Sequence, residues 1–211
     1  MRTMPSIAPR TVLVAAVPVG LVLGAAVVWQ STSAAFTATT DNPGNSWQAG
    51  TVALGDSASG SALFTSTADG ALTPGSTRSR CIQVDYTGNL DADIRLYVTT
   101  PESVVKPLDP YLAMTVEQGT NVPDGTTVAA DCTGFTPTAP ATFLFNGAST
   151  DATQTMAQLK THADYASGLP VGTAVPRDTH LTFRITYLVG GDNAAQDAQS
   201  KATFVWEARN S

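Results

Sequence analysis

Two histidines and two cysteines are all the imidazole and thiol in this chain of 211 residues. That inventory limits the chemistry at once. A zincin needs two histidines one helical turn apart with a glutamate base between them, as in His-Glu-x-x-His. His162 stands in Thr161-His162-Ala163-Asp164 and His180 in Thr179-His180-Leu181, and neither has that context. A histidine near the end of a helix is favoured by the helix dipole alone, which accounts for His162. His180 opens a strand beside a turn. An α/β-type serine hydrolase carries Gly-x-Ser-x-Gly. Here Gly60-Ser61 and Gly75-Ser76 lie in turns, and Ser167-Gly168 ends a helix. A hard cation takes six or more oxygens. Asp91 and Asp93 in one turn region, with Asp192 and Asp197 in another, do not make an Asp-x-Asp-x-Asp-Gly loop. Asp91 and Asp93 are the metal candidates, and a polar hairpin tip is the simpler account of them. Trp47 and Trp206 sit in alternating segments whose natural place is a core. Tyr97, Tyr111 and Tyr165 are therefore the candidates for a sugar-binding surface. No catalytic residue and no cofactor is predicted.

The two cysteines read as a pair because the chain carries an export signal and the count is even. Cys81 and Cys132 would close a loop of about 50 residues, for which the chain-entropy estimate is on the order of 4 kcal/mol. Zinc is disfavoured, since there is no Cys-x-x-Cys and no nearby histidine pair. The export signal is the N-terminus. Arg2 and Arg10 give a positive region, residues 11–29 are uncharged and mostly apolar, and Ser31, Thr32, Ser33, Ala34 and Ala35 follow. Small residues at alternate positions mark a cleavage site, which predicts cleavage after Ala34 or Ala35. The apolar run is also long enough to span a bilayer, so a signal anchor is the alternative. Residues 1–35 are thus a signal peptide or signal anchor, and residues 36–211 a secreted domain. A membrane enters only through residues 11–29, if they are not cleaved.

Composition agrees with a folded exported domain. Charged residues are 13% of the chain, about half the usual share, which argues against long solvated helices and coiled coil. The hydrophobic share of 43% argues against disorder throughout. With 17 acidic against 11 basic residues the formal charge is −6, and the footprint of a nucleic-acid binder is absent.

The elements that must position these residues read as strands. Leu181, Phe183, Ile185, Tyr187 and Val189 alternate with Thr182, Arg184 and Thr186. Phe204 and Trp206 alternate with Thr203 and Glu207. Ile94, Leu96 and Val98 form a third set, Leu112, Met114 and Val116 a fourth, and Ile82, Val84 and Tyr86 a fifth. Each is a strand with one face on a core. Residues 36–40, 47–54, 62–67 and 142–145 are further strands. Turn chemistry falls between them at Leu72-Thr73-Pro74-Gly75, Val122-Pro123-Asp124-Gly125 and Val189-Gly190-Gly191. Ala152, Met156, Leu159, Ala163 and Ala166 keep helical spacing, which predicts one crossover helix over about 150–166. Residues 133–141, with Pro137 and Pro140, read as a surface loop. The sum is an all-β, jelly-roll-like two-sheet sandwich with one crossover helix, preceded by the signal segment.

Several stretches resemble a known family. Ala35-Phe36-Thr37-Ala38-Thr39-Thr40, followed by Asn45-Ser46-Trp47-Gln48-Ala49-Gly50-Thr51-Val52-Ala53-Leu54, is similar to the opening of the TasA/camelysin family. Ile82-Gln83-Val84-Asp85-Tyr86-Thr87-Gly88 with Ala92-Asp93-Ile94 resembles its central strands, and Ser200-Lys201-Ala202-Thr203-Phe204-Val205-Trp206-Glu207 its closing strand. The resemblance implies a jelly-roll sandwich, export through a signal peptidase of the SipW type, and a place at the cell surface or in a biofilm matrix. It also implies fibre formation in some members, and camelysin itself is described as a metalloendopeptidase. The chain departs from TasA-like members in its cysteine pair. It also departs in holding 8 Arg to 3 Lys, a composition expected of a GC-rich actinobacterium. The expected function is an exported structural surface or matrix protein. After cleavage, Phe36, Thr37, Ala38, Thr39 and Thr40 form a free terminal strand that can join its own sheet or a neighbour's. The partners are then the signal peptidase during export and other copies of the chain. The alternatives are a camelysin-like metalloendopeptidase and a carbohydrate- or partner-binding surface module.

Overall fold

A computed structural model describes residues 37–39, 54–57, 62–100, 102–147, 152–191, 195 and 197–210. Among the described residues nine strands form two antiparallel sheets. They are β1 (Thr37–Thr39), β2 (Leu54–Asp56), β3 (Thr77–Tyr86), β4 (Ala92–Thr99), β5 (Leu112–Gly119), β6 (Pro137–Phe145), β7 (Leu169–Val175), β8 (Thr179–Val189) and β9 (Thr203–Asn210). One sheet has the order β1-β9-β4-β7 and the other β2-β3-β8-β5-β6. With the short β2 set aside, consecutive strands alternate between the sheets except for β5 and β6, which pair in one sheet; this is the jelly-roll pattern of two interlocked Greek keys.

The inward faces expected from the sequence are the inward faces observed, and Gln83, Thr182, Thr203 and Glu207 of the opposite faces are buried as well. Phe183, Ile185, Ile94, Leu96, Val116 and Trp206 are 0–1% exposed and meet between the sheets. Phe183 of one sheet lies 5.3 Å from Trp206 of the other, ring centre to ring centre. Trp206 is therefore a core residue.

Four segments differ from expectation. Residues 62–67 form no strand. Leu63 is buried, Phe64 meets the Tyr187 ring edge-on at 5.2 Å, and a one-turn helix α1 (Ser66–Asp69) follows. Asp69 then pairs with Arg80 of β3 at 2.8 Å, so the segment caps one end of the sandwich. The crossover helix is a single turn, α2 (Met156–Leu159). Its neighbours are claimed by strands instead: Met114 N–H donates to the Gln154 carbonyl and Val98 N–H to the His162 carbonyl. Tertiary pairing overrides the local periodicity, and only Met156 and Leu159 enter the core. Residues 137–141 lie in β6, and β7 has no counterpart in the sequence reading. Both strands carry prolines, which edge strands tolerate.

The connection from β5 to β6 covers the outer face of the larger sheet. Cys132 is bonded to Cys81 of β3, with Cα atoms 4.8 Å apart. Cys81 N–H donates to the Ala130 carbonyl at 3.1 Å, and Val128 N–H donates to Gln83 Oε1 at 3.0 Å. Val128 itself is fully buried. Phe135 lies under the Arg184 guanidinium at 5.0 Å, and Arg184 Nε donates to the buried Glu117 at 2.8 Å. A Cβ on Gly119 would come within 2.6 Å of the Phe135 ring and 2.7 Å of the Thr136 carbonyl, so only glycine lets the cover sit this close. The disulfide spans 51 positions. Replacing Cys132 with serine should cost about 4 kcal/mol of unfolding free energy. Denaturant unfolding of the variant checks this, and a midpoint equal to that of the parent would show that the cover is held without the bond.

Candidate functional site

The strand predicted to be free after cleavage is seated in its own sheet. Thr37, Ala38 and Thr39 face Arg209, Ala208 and Glu207 of β9. Three residues of pairing make few hydrogen bonds, each worth about 0.5–1.5 kcal/mol net. The edges formed by β6 and β7 are better defended. β6 carries Pro137 and Pro140, and β7 carries Pro170 with register shifts against β4. Both devices discourage further pairing. The β1–β9 edge is protected by β1 alone among the described residues.

The strand β9 that receives β1 is rigidly placed. It pairs with β4 along its whole length, from Thr203↔Thr99 to Asn210↔Ala92. On its outer face Glu207 is 4% exposed and accepts from Tyr97 Oη at 3.0 Å and Arg209 Nε at 2.8 Å. Arg209 and Arg95 lie over the Tyr165 ring at 3.9 and 5.4 Å. Tyr165 Oη donates to the Asp93 carbonyl at 3.1 Å. Two of the three tyrosines considered as a sugar platform, Tyr97 and Tyr165, are therefore engaged beside this edge. Tyr111 is half-buried against the core.

Other sequence candidates take places that suit structure. Asp93 Oδ1 accepts the Ala174 N–H at 2.9 Å. Asp91 is near enough to Tyr86 to raise its pKa, behind the larger effect of burial. Among the described residues no group of three His, Cys, Asp or Glu is placed to hold a metal ion. His162 Nδ1 donates to the Ser167 carbonyl at 2.6 Å, while the Ser167 hydroxyl donates to Asp164 at 2.8 Å. That imidazole touches no nucleophile. The cleavage residues Ala34 and Ala35, with Phe36, Thr40, Trp47 and residues 11–29, lie outside the described residues. No helix among the described residues is long and apolar enough to cross a membrane.

One cluster escaped the sequence reading. His180 Nδ1 lies 2.6 Å from Asp85 and its Nε2 lies 2.7 Å from Asp124. Both nitrogens can donate only in the imidazolium, so the geometry calls for a charged ring. The pKa of His180 accordingly lies above its ordinary 6.5, raised first by the hydrogen bond to Asp85 and then by that to Asp124. Val122 N–H also donates to the His180 carbonyl at 3.1 Å. His180 thus ties the start of the cover to β8. The signal was present in the sequence only as a turn at Pro123-Asp124-Gly125, because the pairing of Asp85 with His180 depends on strand register.

No family model, no curated protein and no solved structure matches this chain. The all-β sandwich and its disulfide stand on the structure itself, and the disulfide fits an oxidising compartment.

A histidine with a raised folded pKa contributes stability that is full below its unfolded value and is lost as pH rises through the folded value. Two results are expected as pH climbs above about 6.5: deprotonation of His180 at a value above 6.5, and faster amide exchange at Val122. NMR titration checks both. Asp124→Asn should lower the His180 pKa, and a parent value at or below 6.5 would refute the ionic tie.

Proposed function

We propose that this chain is an exported structural protein of the cell surface or extracellular matrix, of the TasA/camelysin kind, that assembles through its N-terminal strand. The observation that carries this reading is the three-residue pairing of Thr37–Thr39 with β9, an edge covered by a short strand that holds no proline and no register shift. Cleavage after Ala34 or Ala35 by a signal peptidase of the SipW type would leave Phe36 at the tip of that strand. The seat on β9 has the same shape whichever copy supplies the strand. Residues 36–40 of one molecule can therefore leave their own β9 and fill the seat on the next. Each molecule then gives one strand and receives one, a head-to-tail contact that need not close and can run into a fibre.

Two further observations support the reading. The Cys81–Cys132 disulfide suits a protein that has left the cytoplasm. The carboxylates and histidines described above are engaged in holding strands and the cover together, which suits a scaffold.

The test is deletion of residues 36–40 from the processed chain. The truncated protein should keep its thermal transition and remain monomeric by light scattering under conditions where the parent forms large or polydisperse species. Fibres of normal yield from the truncated chain would refute strand exchange. A processed parent that stays a monodisperse monomer would refute assembly altogether.

A further inference from the structure

Residues 133–142 carry no charge and are built from Thr, Pro and Ala, with Gly134 and Phe135. Much of this segment belongs to β6, an edge strand of the larger sheet. Its register makes it stand out from that sheet. Gln118 of β5 faces Thr142, and the next residue, Gly119, faces Pro137. Thr138, Ala139, Pro140 and Ala141 therefore face no residue of β5 and bulge from the edge. Thr138 Oγ1 donates to Thr142 Oγ1 at 2.9 Å and closes the bulge. Thr136, Pro137, Ala139, Pro140, Ala141 and Thr142 are exposed, and Thr138 is half-buried.

Further hydroxyls come to this place from the cover. Thr120 N–H donates to the Thr136 carbonyl at 2.8 Å, and the Thr127 carbonyl lies 3.3 Å from where a Cβ on Gly134 would stand. Both threonines are exposed. Threonine with proline in an exposed segment is the composition of O-glycosylated stretches. The chain holds no Asn-x-Ser or Asn-x-Thr, so a glycan on it would fall on a hydroxyl.

The edge also lacks a guard that edges ordinarily have. Free strands are protected by charged side chains, lysine above all, as well as by proline. β6 holds its prolines at 137 and 140 and no charged residue anywhere, and Ala141–Phe145 holds neither. A bulky, hydrophilic group on Thr138 and Thr142 supplies the missing protection.

We infer that Thr136, Thr138 and Thr142 carry O-linked hexose. Each Oγ1 attacks the anomeric carbon of a hexose activated as its phosphate ester. The bond from that carbon to the phosphate oxygen breaks, and the phosphate leaves with the electron pair. The hydroxyl proton passes to a base of the transferase. The inference rests on the export reading and is independent of assembly, since β6 shares no residue with the β1–β9 edge.

The test takes the chain as its own organism secretes it. Intact mass comes first, then peptide mapping with fragmentation that keeps sugars attached. The chain should start at Ala35 or Phe36 and exceed the mass of its sequence by whole hexose units, mapped to Thr136, Thr138 and Thr142. Replacing all three by valine, which strands favour, should remove every one of those units while the thermal transition persists. Site mapping on the parent decides the matter if the variant is not secreted. Bare threonines on a chain starting at Ala35 or Phe36 would overturn the inference and leave export standing. Bare threonines on a chain starting at Met1 would overturn both. Hexose on other residues alone, or an unchanged mass excess in the triple variant, would also overturn the inference.

Discussion

The connection of residues 120–136, held down on the outer face of the five-stranded sheet, is the constraint on which the larger sheet depends. β8 sits at the centre of that sheet, with its inner face buried and its outer face partly covered. Its inner residues meet the opposite sheet. Its outer residues Thr182 and Arg184, with Glu117 and Gln83 of neighbouring strands, are polar groups that need partners once water is excluded. The cover provides them. Thr182 Oγ1 donates to the Thr120 carbonyl at 2.9 Å, Gln83 accepts from Val128, and Arg184 is sandwiched between Glu117 and Phe135. The disulfide holds the cover at one end and His180 at the other. A sandwich usually has one wet face on each sheet; here a long connection covers part of the larger sheet's outer face, around Gln83, Glu117 and Thr182.

The same sheet shows how unpaired backbone is handled elsewhere. Arg78 and Arg80 turn their guanidinium groups back onto the Thr77 and Ser79 carbonyls of their own strand. β2 is three residues long and ends at Ser57, whose N–H donates to the Gln83 carbonyl at 3.1 Å. Proline closes β6 and β7. These are different solutions to one problem, that a strand edge is a template for another chain. The β1–β9 edge, unlike those of β6 and β7, is covered by a three-residue strand with no proline and no register shift, as β3 is by β2. This contrast is what supports an assembly role for that edge.

The parts legible in the sequence are those governed by period-two alternation. Leu181 to Val189 and Phe204 to Trp206 announce both their strands and their inward faces, because side chains of a strand alternate whatever its neighbours are. The cysteine pair was legible from the even count together with the export that the N-terminal residues led one to expect. The failures have one physical character, in that long-range contacts decided them. Pro170 and Gly172 resemble a break, yet β7 is an edge strand with shifted register, where both are tolerated. The spacing of Ala152 to Ala166 resembles a helix, yet the backbone at Gln154 and His162 is taken by β5 and β4. Phe64 and Asp69 resemble strand and turn, yet their partners Tyr187 and Arg80 lie on β8 and β3. The tie of Asp85 and Asp124 to His180 needs three separated segments in register, which no local pattern reveals.

The position of the disulfide has a consequence for what a single proteolytic cut would do. The exposed turn at Pro123-Asp124-Gly125 is the natural place for a nick, since it projects from the cover with a positive φ at Gly125. Cys81 lies before that turn and Cys132 after it. A cut there would leave two polypeptides still joined by one covalent bond. The flanks would stay seated as well, Val122 on β8 and Val128 on Gln83. Cleavage would thus convert the molecule from one chain to two without separating its halves, so a protease could mark this protein without dismantling it.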